Sequence, residues 1–185
     1  MRILGLRPLA FAVAAAAMLP GQALAGLFDF GDSYRPQPVA GRHLVSFPPG
    51  YEAGTVIVQF SQRRLYLVLP QQRALSYPIG APKDDARWSG TTYVSEKRVN
   101  PRWTPTPDMR RENPGLPAFV PGGHPQNPLG VRALYLGKTT YRIHGTDAPW
   151  TVGQEVSHGC IRMLNQDVAD LYQRVPVGTQ VVVMW

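Results

Sequence analysis

The chemistry in this sequence concentrates between residues 144 and 163. The segment opens His144-Gly145-Thr146 and closes Val156-Ser157-His158-Gly159-Cys160-Ile161-Arg162-Met163. Cys160 is the only cysteine in 185 residues, so it cannot form an intramolecular disulfide. A thiol becomes a strong nucleophile as thiolate, and a neighbouring imidazole lowers its pKa and carries its proton. Two histidines fit that role. His158 lies two residues before Cys160, so in an extended chain both point to one face. His144 ends a predicted strand, and the 15 residues before Cys160 suffice for the chain to loop out and return beside it. Gly159 leaves the backbone before the thiol open, so nearby amide N–H groups are available to an oxyanion. Arg162 offers a two-pronged donor to a substrate carboxylate. The plain alternative for Cys160 is a small buried apolar side chain.

Other chemistries fit these residues less well. His144, His158 and Cys160 lack a fourth ligand at metal spacing, so no metal and no cofactor is expected. Gly137-Lys138-Thr139 resembles the end of a phosphate loop, but the required glycine position holds Arg132. The Ser-x-x-Lys signature of serine penicillin-binding enzymes is absent. A papain-like protease also fits less well, because there the cysteine precedes the histidine, and here His144 comes first.

Short strands must position these residues. Residues 55–60, 64–69 and 73–80 are β-rich runs separated by tight turns, which predicts an antiparallel meander. Residues 91–99 form a further strand, 131–136 and 140–144 a hairpin turned at 137–139, and 179–184 a final strand. One helix is predicted over 165–175, where Val168, Leu171, Tyr172 and Val175 recur at helical spacing. Asn165 is read as its N-cap. Residues 101–128 carry eight prolines, which predicts neither helix nor central strand but a long lid or binding loop. Within it Trp103, Phe119 and His124 are candidate ligand contacts or anchors to the core. The fold class is mainly β, with one short C-terminal helix and a long proline-rich loop.

Composition agrees with that outline. Gly 18 and Pro 19 make up one fifth of the chain, which excludes a coiled coil or a simple helix bundle. Hydrophobic residues at 44% and aromatics at 10% are enough for a core. Arg2 and Arg7, an apolar run over 8–19 and Pro20-Gly21-Gln22-Ala23-Leu24-Ala25 predict a signal peptide over 1–25. Residues 26–52, with Pro36, Pro38, Pro48 and Pro49, read as an extended leader or linker ahead of a folded domain. The expectation is an exported protein of the periplasm or cell envelope, with no transmembrane segment after signal removal. Loss of Arg2 and Arg7 takes the formal charge from +7 to +5, which favours anionic surroundings. In an oxidising compartment an unpaired cysteine marks a reactive thiol or an intermolecular partner.

The block Tyr141-Arg142-Ile143-His144-Gly145-Thr146 followed by the Ser-His-Gly-Cys-Ile-Arg segment resembles the L,D-transpeptidase catalytic domain, YkuD type. Asn127-Pro128-Leu129-Gly130, Ala133-Leu134-Tyr135-Leu136 and Val175-Pro176-Val177-Gly178-Thr179 resemble its ErfK/YbiS branch. The likeness spans residues 53–185. It implies a compact β-sandwich or barrel-like fold in which the Cys160 thiolate attacks a peptidoglycan tetrapeptide stem. His144 is then the base and acid, oriented by the carbonyl of Gly145. Amides at His158, Gly159 and Cys160 receive the oxyanion, while Arg162 and Ser157 hold the stem or brace the site. The implied partners are peptidoglycan stem peptides, an envelope lipoprotein as acceptor, and carbapenem-type inhibitors, with no nucleic acid. An L,D-carboxypeptidase releasing the acyl group to water is the nearest alternative, and a non-catalytic wall-binding module the next. The lysin motif that often precedes this domain has no counterpart in residues 26 to 53.

Overall fold

The computed structural model describes residues 41–185. The expected signal peptide, 1–25, and the first part of the expected leader, 26–40, lie outside the described residues. The strands are β1 (His43–Ser46), β2 (Val56–Gln59), β3 (Arg64–Leu69), β4 (Arg73–Pro78), β5 (Ala81–Pro82) and β6 (Gly90–Val99). Helix α1 (Pro107–Glu112) is followed by β7 (Arg132–Leu136), β8 (Arg142–His144), β9 (Glu155–Ser157) and β10 (Ile161–Arg162). Helix α2 (Asn165–Arg174) and β11 (Gln180–Met184) complete the chain.

The meander forms as expected, with Val56↔Leu67 and Leu67↔Leu75 in register across β2, β3 and β4. Its turns need left-handed backbone at Arg63 (φ 51°), Gln71 (φ 62°) and Gln72 (φ 52°). The last strand, β11, inserts between β2, which it pairs in parallel, and β6, which it pairs antiparallel. The nine-stranded order is β1-β4-β3-β2-β11-β6-β7-β8-β10, and β5 pairs separately with β9. Strand β6 serves two neighbours: its first half pairs β11, and its second half pairs β7 across a register shift between Val94 and Glu96. Such an irregularity bends a strand and lets the sheet fold over itself. One core results, joining Val56, Phe60, Leu65 and Tyr77 from one half to Leu134, Ile143 and Ile161 from the other. Val168, Leu171 and Val175 of α2 close it, so the apolar stripe read from the sequence is the buried face.

Three sequence expectations need correction. The expected leader contains a strand: β1 lies on β4 with His43↔Ser76 and Ser46↔Arg73 in register. Arg42 pairs with Asp170 of α2 at 2.8 Å, which fastens the start of β1. Four residues before Pro48 are too few to show a period, so pattern reading missed the strand. The proline-rich segment contains a helix after all. In α1, Pro107 occupies a first-turn position, where no N–H is needed, and the Thr106 hydroxyl accepts from Met109 N at 3.3 Å. Finally, Asn165 is not the N-cap of α2. Leu164 holds that position with no side-chain cap bond, and the Asn165 amide is engaged elsewhere.

The long loop is closed at its base. Trp103 and Val120 exchange backbone hydrogen bonds of 3.0 and 2.9 Å. Buried Asn127 donates to the carbonyls of Pro101 and Pro121, at 2.8 and 3.0 Å, and accepts from Leu129 N at 2.9 Å. Among the described residues no helix is long and apolar enough to cross a membrane.

Candidate active site

Strand register brings the reactive groups together. On β8, Arg142 and His144 are two residues apart and share a face. β10 runs parallel to β8 with Ile161↔Ile143 and Arg162↔His144 in register, so Cys160, one residue before β10, comes level with Arg142. Cys160 and His144 both line a cavity of about 600 Å³. Tyr141, Arg142, Ser157 and Arg162 line it from the sheet side. Trp103, Met109, Glu112 and Leu116 line it from the proline-rich segment. That segment therefore sits over the thiol, as the loop length predicts.

His144 is buried, and its Nδ1 lies 2.5 Å from the Gly145 carbonyl oxygen. A carbonyl only accepts, so Nδ1 carries the proton and Nε2 keeps its lone pair. Burial pushes the His144 pKa down to about 3, the Gly145 bond opposes that shift, and the positive charges of Arg162 and Arg142 add to it. Burial likewise pushes the Cys160 thiol up, while Arg142 and Arg162 favour the thiolate and oppose the rise. Both shifts favour a neutral thiol beside a neutral imidazole.

The turn carrying the thiol is held from several sides. Gly159 has φ +109°, and a Cβ there would overlap the ring of Tyr141. That ring stacks on Trp88 at 4.8 Å and 11°, and Trp88 Nε1 donates to the Gly159 carbonyl at 2.8 Å. The Ser157 hydroxyl donates to the Cys160 carbonyl at 2.6 Å, so Ser157 braces the turn. A trans peptide points its N–H opposite its C=O, so the bond from Trp88 turns the Cys160 N–H away from Trp88. Among the described residues the amide N–H groups of His158, Gly159 and Cys160 have no acceptor.

Gly145 and the histidine strand are clamped by Asn165. Its Oδ1 accepts from Thr146 N at 3.1 Å and from Val131 N at 3.3 Å, and its Nδ2 donates to the Thr146 carbonyl at 2.9 Å. A Cβ at Gly145 or at Gly130 would overlap that same Oδ1. Arg162 is partly committed to structure. Its backbone exchanges bonds with Gly80 at 2.8 and 3.1 Å, and Nη1 donates to Thr151 Oγ1 at 2.8 Å. Its Nε is buried without a partner.

His158 lines the same cavity, but its side-chain partner is on the loop side. It is exposed and bonds Glu112 of α1, with Nε2 3.2 Å from Oε2, across the mouth of the cavity. Of the loop residues singled out in the sequence, Trp103 lines the cavity; Phe119 and His124 do not. The sequence alone assigned no site role to Trp88, Tyr141, Arg142 or Glu112, and it offered Asn165 only as a helix cap. Arg142 was legible, because a residue two before His144 in a strand must share its face. The others act through tertiary approach and leave no local pattern.

Residues 53–183 match the family described as the L,D-transpeptidase catalytic domain, YkuD. The chain belongs to that L,D-transpeptidase family. It is 42% identical over 137 residues to "Probable L,D-transpeptidase ErfK/SrfK" of Escherichia coli (strain K12), a match covering 70% of this chain and 43% of that one. "Probable L,D-transpeptidase YbiS" of the same strain is 41% identical over 140 residues, covering 72% of this chain and 45% of its own. The chain thus spans less than half the length of these curated relatives. A crystal structure from Brucella melitensis named "Probable carnitine operon oxidoreductase caia" is 42% identical, with a TM-score of 0.54 over 80% of this chain and 96% of that one. The oxidoreductase name is that protein's own. L,D-transpeptidase 3 of Mycobacterium tuberculosis, crystallised with a faropenem-derived adduct, shares the fold at TM-score 0.55 and 16% identity, over 72% of this chain and 60% of its own. The L,D-transpeptidase fold is thereby shown for this mainly β chain.

Proposed function

We propose that the protein is a peptidoglycan L,D-transpeptidase with Cys160 as its nucleophile. One observation carries the reading: the Gly145 carbonyl fixes the Nδ1–H tautomer of His144, leaving Nε2 unprotonated on a residue that lines the cavity holding the thiol. His144 Nε2 takes the Cys160 proton as sulfur attacks the carbonyl between the third residue of a tetrapeptide stem and its terminal D-Ala. The charge gathering on that carbonyl oxygen is received by the free amide N–H groups at His158, Gly159 and Cys160. His144 then gives the proton to the leaving D-Ala amine, and a thioester on Cys160 remains. An acceptor amine attacks the thioester, His144 takes its proton, and the thiol is regenerated. The acceptor is the side-chain amine of another stem, giving a 3-3 crosslink, or the lysine of an envelope lipoprotein. Carbapenem-type β-lactams acylate the same thiol in this scheme. The signal-peptide pattern over 1–25 supports a location in the cell envelope, where the excess of basic side chains suits an anionic wall.

Incubation of the protein with tetrapeptide muropeptides, read by mass spectrometry, tests the proposal. D-Ala release together with a crosslinked product is expected. Release of D-Ala with only tripeptides formed would assign a carboxypeptidase instead.

A further inference from the structure

Beside the catalytic cavity lies a second, smaller one of about 260 Å³, lined by Arg98, Arg102, Trp103, Leu129, Tyr135 and Arg142 among others. Trp103, Thr104, Leu129 and Arg142 line both cavities, so the two adjoin and Arg142 stands between them. The second cavity carries three guanidinium groups, and only Arg98 is neutralised, by Glu96. Among the described residues neither Arg102 nor Arg142 has a carboxylate partner, and Arg142 Nε is buried with no partner at all.

Aromatic rings hold these groups in place without cancelling their charge. Arg102 lies over the Phe119 ring at 3.6 Å. Arg142 and Arg98 lie 5.1 and 5.3 Å from the Tyr135 ring centre. A guanidinium oriented by a ring face keeps its edge N–H groups for a ligand, and its planar fork matches a carboxylate. Phe119 does not line the catalytic cavity, yet it supports one wall of this smaller one through Arg102.

We propose that Arg102 and Arg142, with Arg98 at the rim, form a subsite that binds a carboxylate of the peptide substrate next to the thioester carbon. The proposal rests on the transpeptidase reading for the identity of that peptide. Two sources supply this chemistry: the terminal carboxylate of the leaving D-amino acid on the donor, and the carboxylate beside the amine of the acceptor stem. Arg142 serves both cavities, because it also lies against Cys160. Arg102 is exposed and takes no part in the Asn165 clamp around His144, which makes it the cleaner position to vary.

The test is a binding titration on the full chain carrying Cys160→Ser, so that catalysis does not enter. Donor tetrapeptide is compared with its terminal carboxamide, and acceptor tripeptide with the analogue amidated beside its amine. A carboxylate preference of about tenfold is expected in one of the two pairs, weakening at higher salt. Arg102→Gln should reduce that preference to threefold or less and leave carboxamide affinity unchanged. Preference in the donor pair assigns the leaving-group carboxylate, and preference in the acceptor pair the acceptor carboxylate. Equal affinities in both pairs, or a preference untouched by both Arg102→Gln and Arg142→Lys, would overturn the proposal. Failure of the transpeptidase reading is seen separately, as wild-type protein that prefers the carboxylate but forms no acyl-enzyme.

Discussion

His144 and Cys160 are shifted towards their neutral forms by the same cause, removal from water, and two arginines act on both from one side. In the proposed reaction the thiolate is therefore made during attack rather than stored, with His144 as the group that takes the proton. Replacing His144 with Ala should slow thioester formation a hundredfold or more, within the usual range for a general base. His158→Ala should cost less than about tenfold, since the side chain bonds Glu112 at the cavity mouth. Pre-steady-state acylation rates check both, and a reversed order would transfer the base role to His158. Burial of neutral His144 also gives a pH signature. Its folded pKa, about 3, lies below the ordinary 6.5, so between these values the unfolded chain binds a proton that the folded chain refuses. Its contribution to stability is full above about 6.5 and is lost as pH falls towards 3, by up to about 1.4 kcal/mol per pH unit. His144→Asn should flatten that part of the stability-versus-pH curve, measured by urea unfolding.

At the scale of elements, the site depends on the junction of β8, β10 and the start of α2. Asn165 ties Val131 and Thr146 together, and Gly130 and Gly145 leave the space its oxygen occupies. Asn165→Ala strands two donors and an acceptor, which should cost about 2 kcal/mol of stability and lower kcat by loosening His144. Urea unfolding and steady-state kinetics measure the two effects, and an unchanged kcat would remove Asn165 from the positioning of the histidine. The sequence made the histidine strand, the meander and the face of α2 legible, because β-rich runs there are bounded by turn residues and Val168, Leu171 and Val175 recur at helical spacing. It also exposed the Cys160 turn through Gly159. It hid β1, too short to show a period, and α1, whose Pro107 reads as a breaker although the first turn tolerates it. The role of Asn165 was misread for a related reason: position and residue type suited a cap, while a tertiary partner competed for the side chain and won.

Across the whole molecule, β6 joins two sheet halves around one core, and β11 fills the centre of the sheet from the far end of the chain. The thiol turn, the histidine strand and the arginines lie on or next to one half, while the proline-rich segment covers them. Glycine and proline, abundant in the composition, include residues that this arrangement needs. Gly130, Gly145 and Gly159 permit close approach, and the prolines stiffen the cover. If Cys160 carries the acyl group, intact-protein mass after incubation with a tetrapeptide donor, followed by peptide mapping, reads it out directly. The predicted result is a mass increase equal to the donor less D-Ala, located on the peptide containing Cys160 and absent from Cys160→Ser. D-Ala release that persists in Cys160→Ser, or an adduct mapped to any other residue, would contradict it.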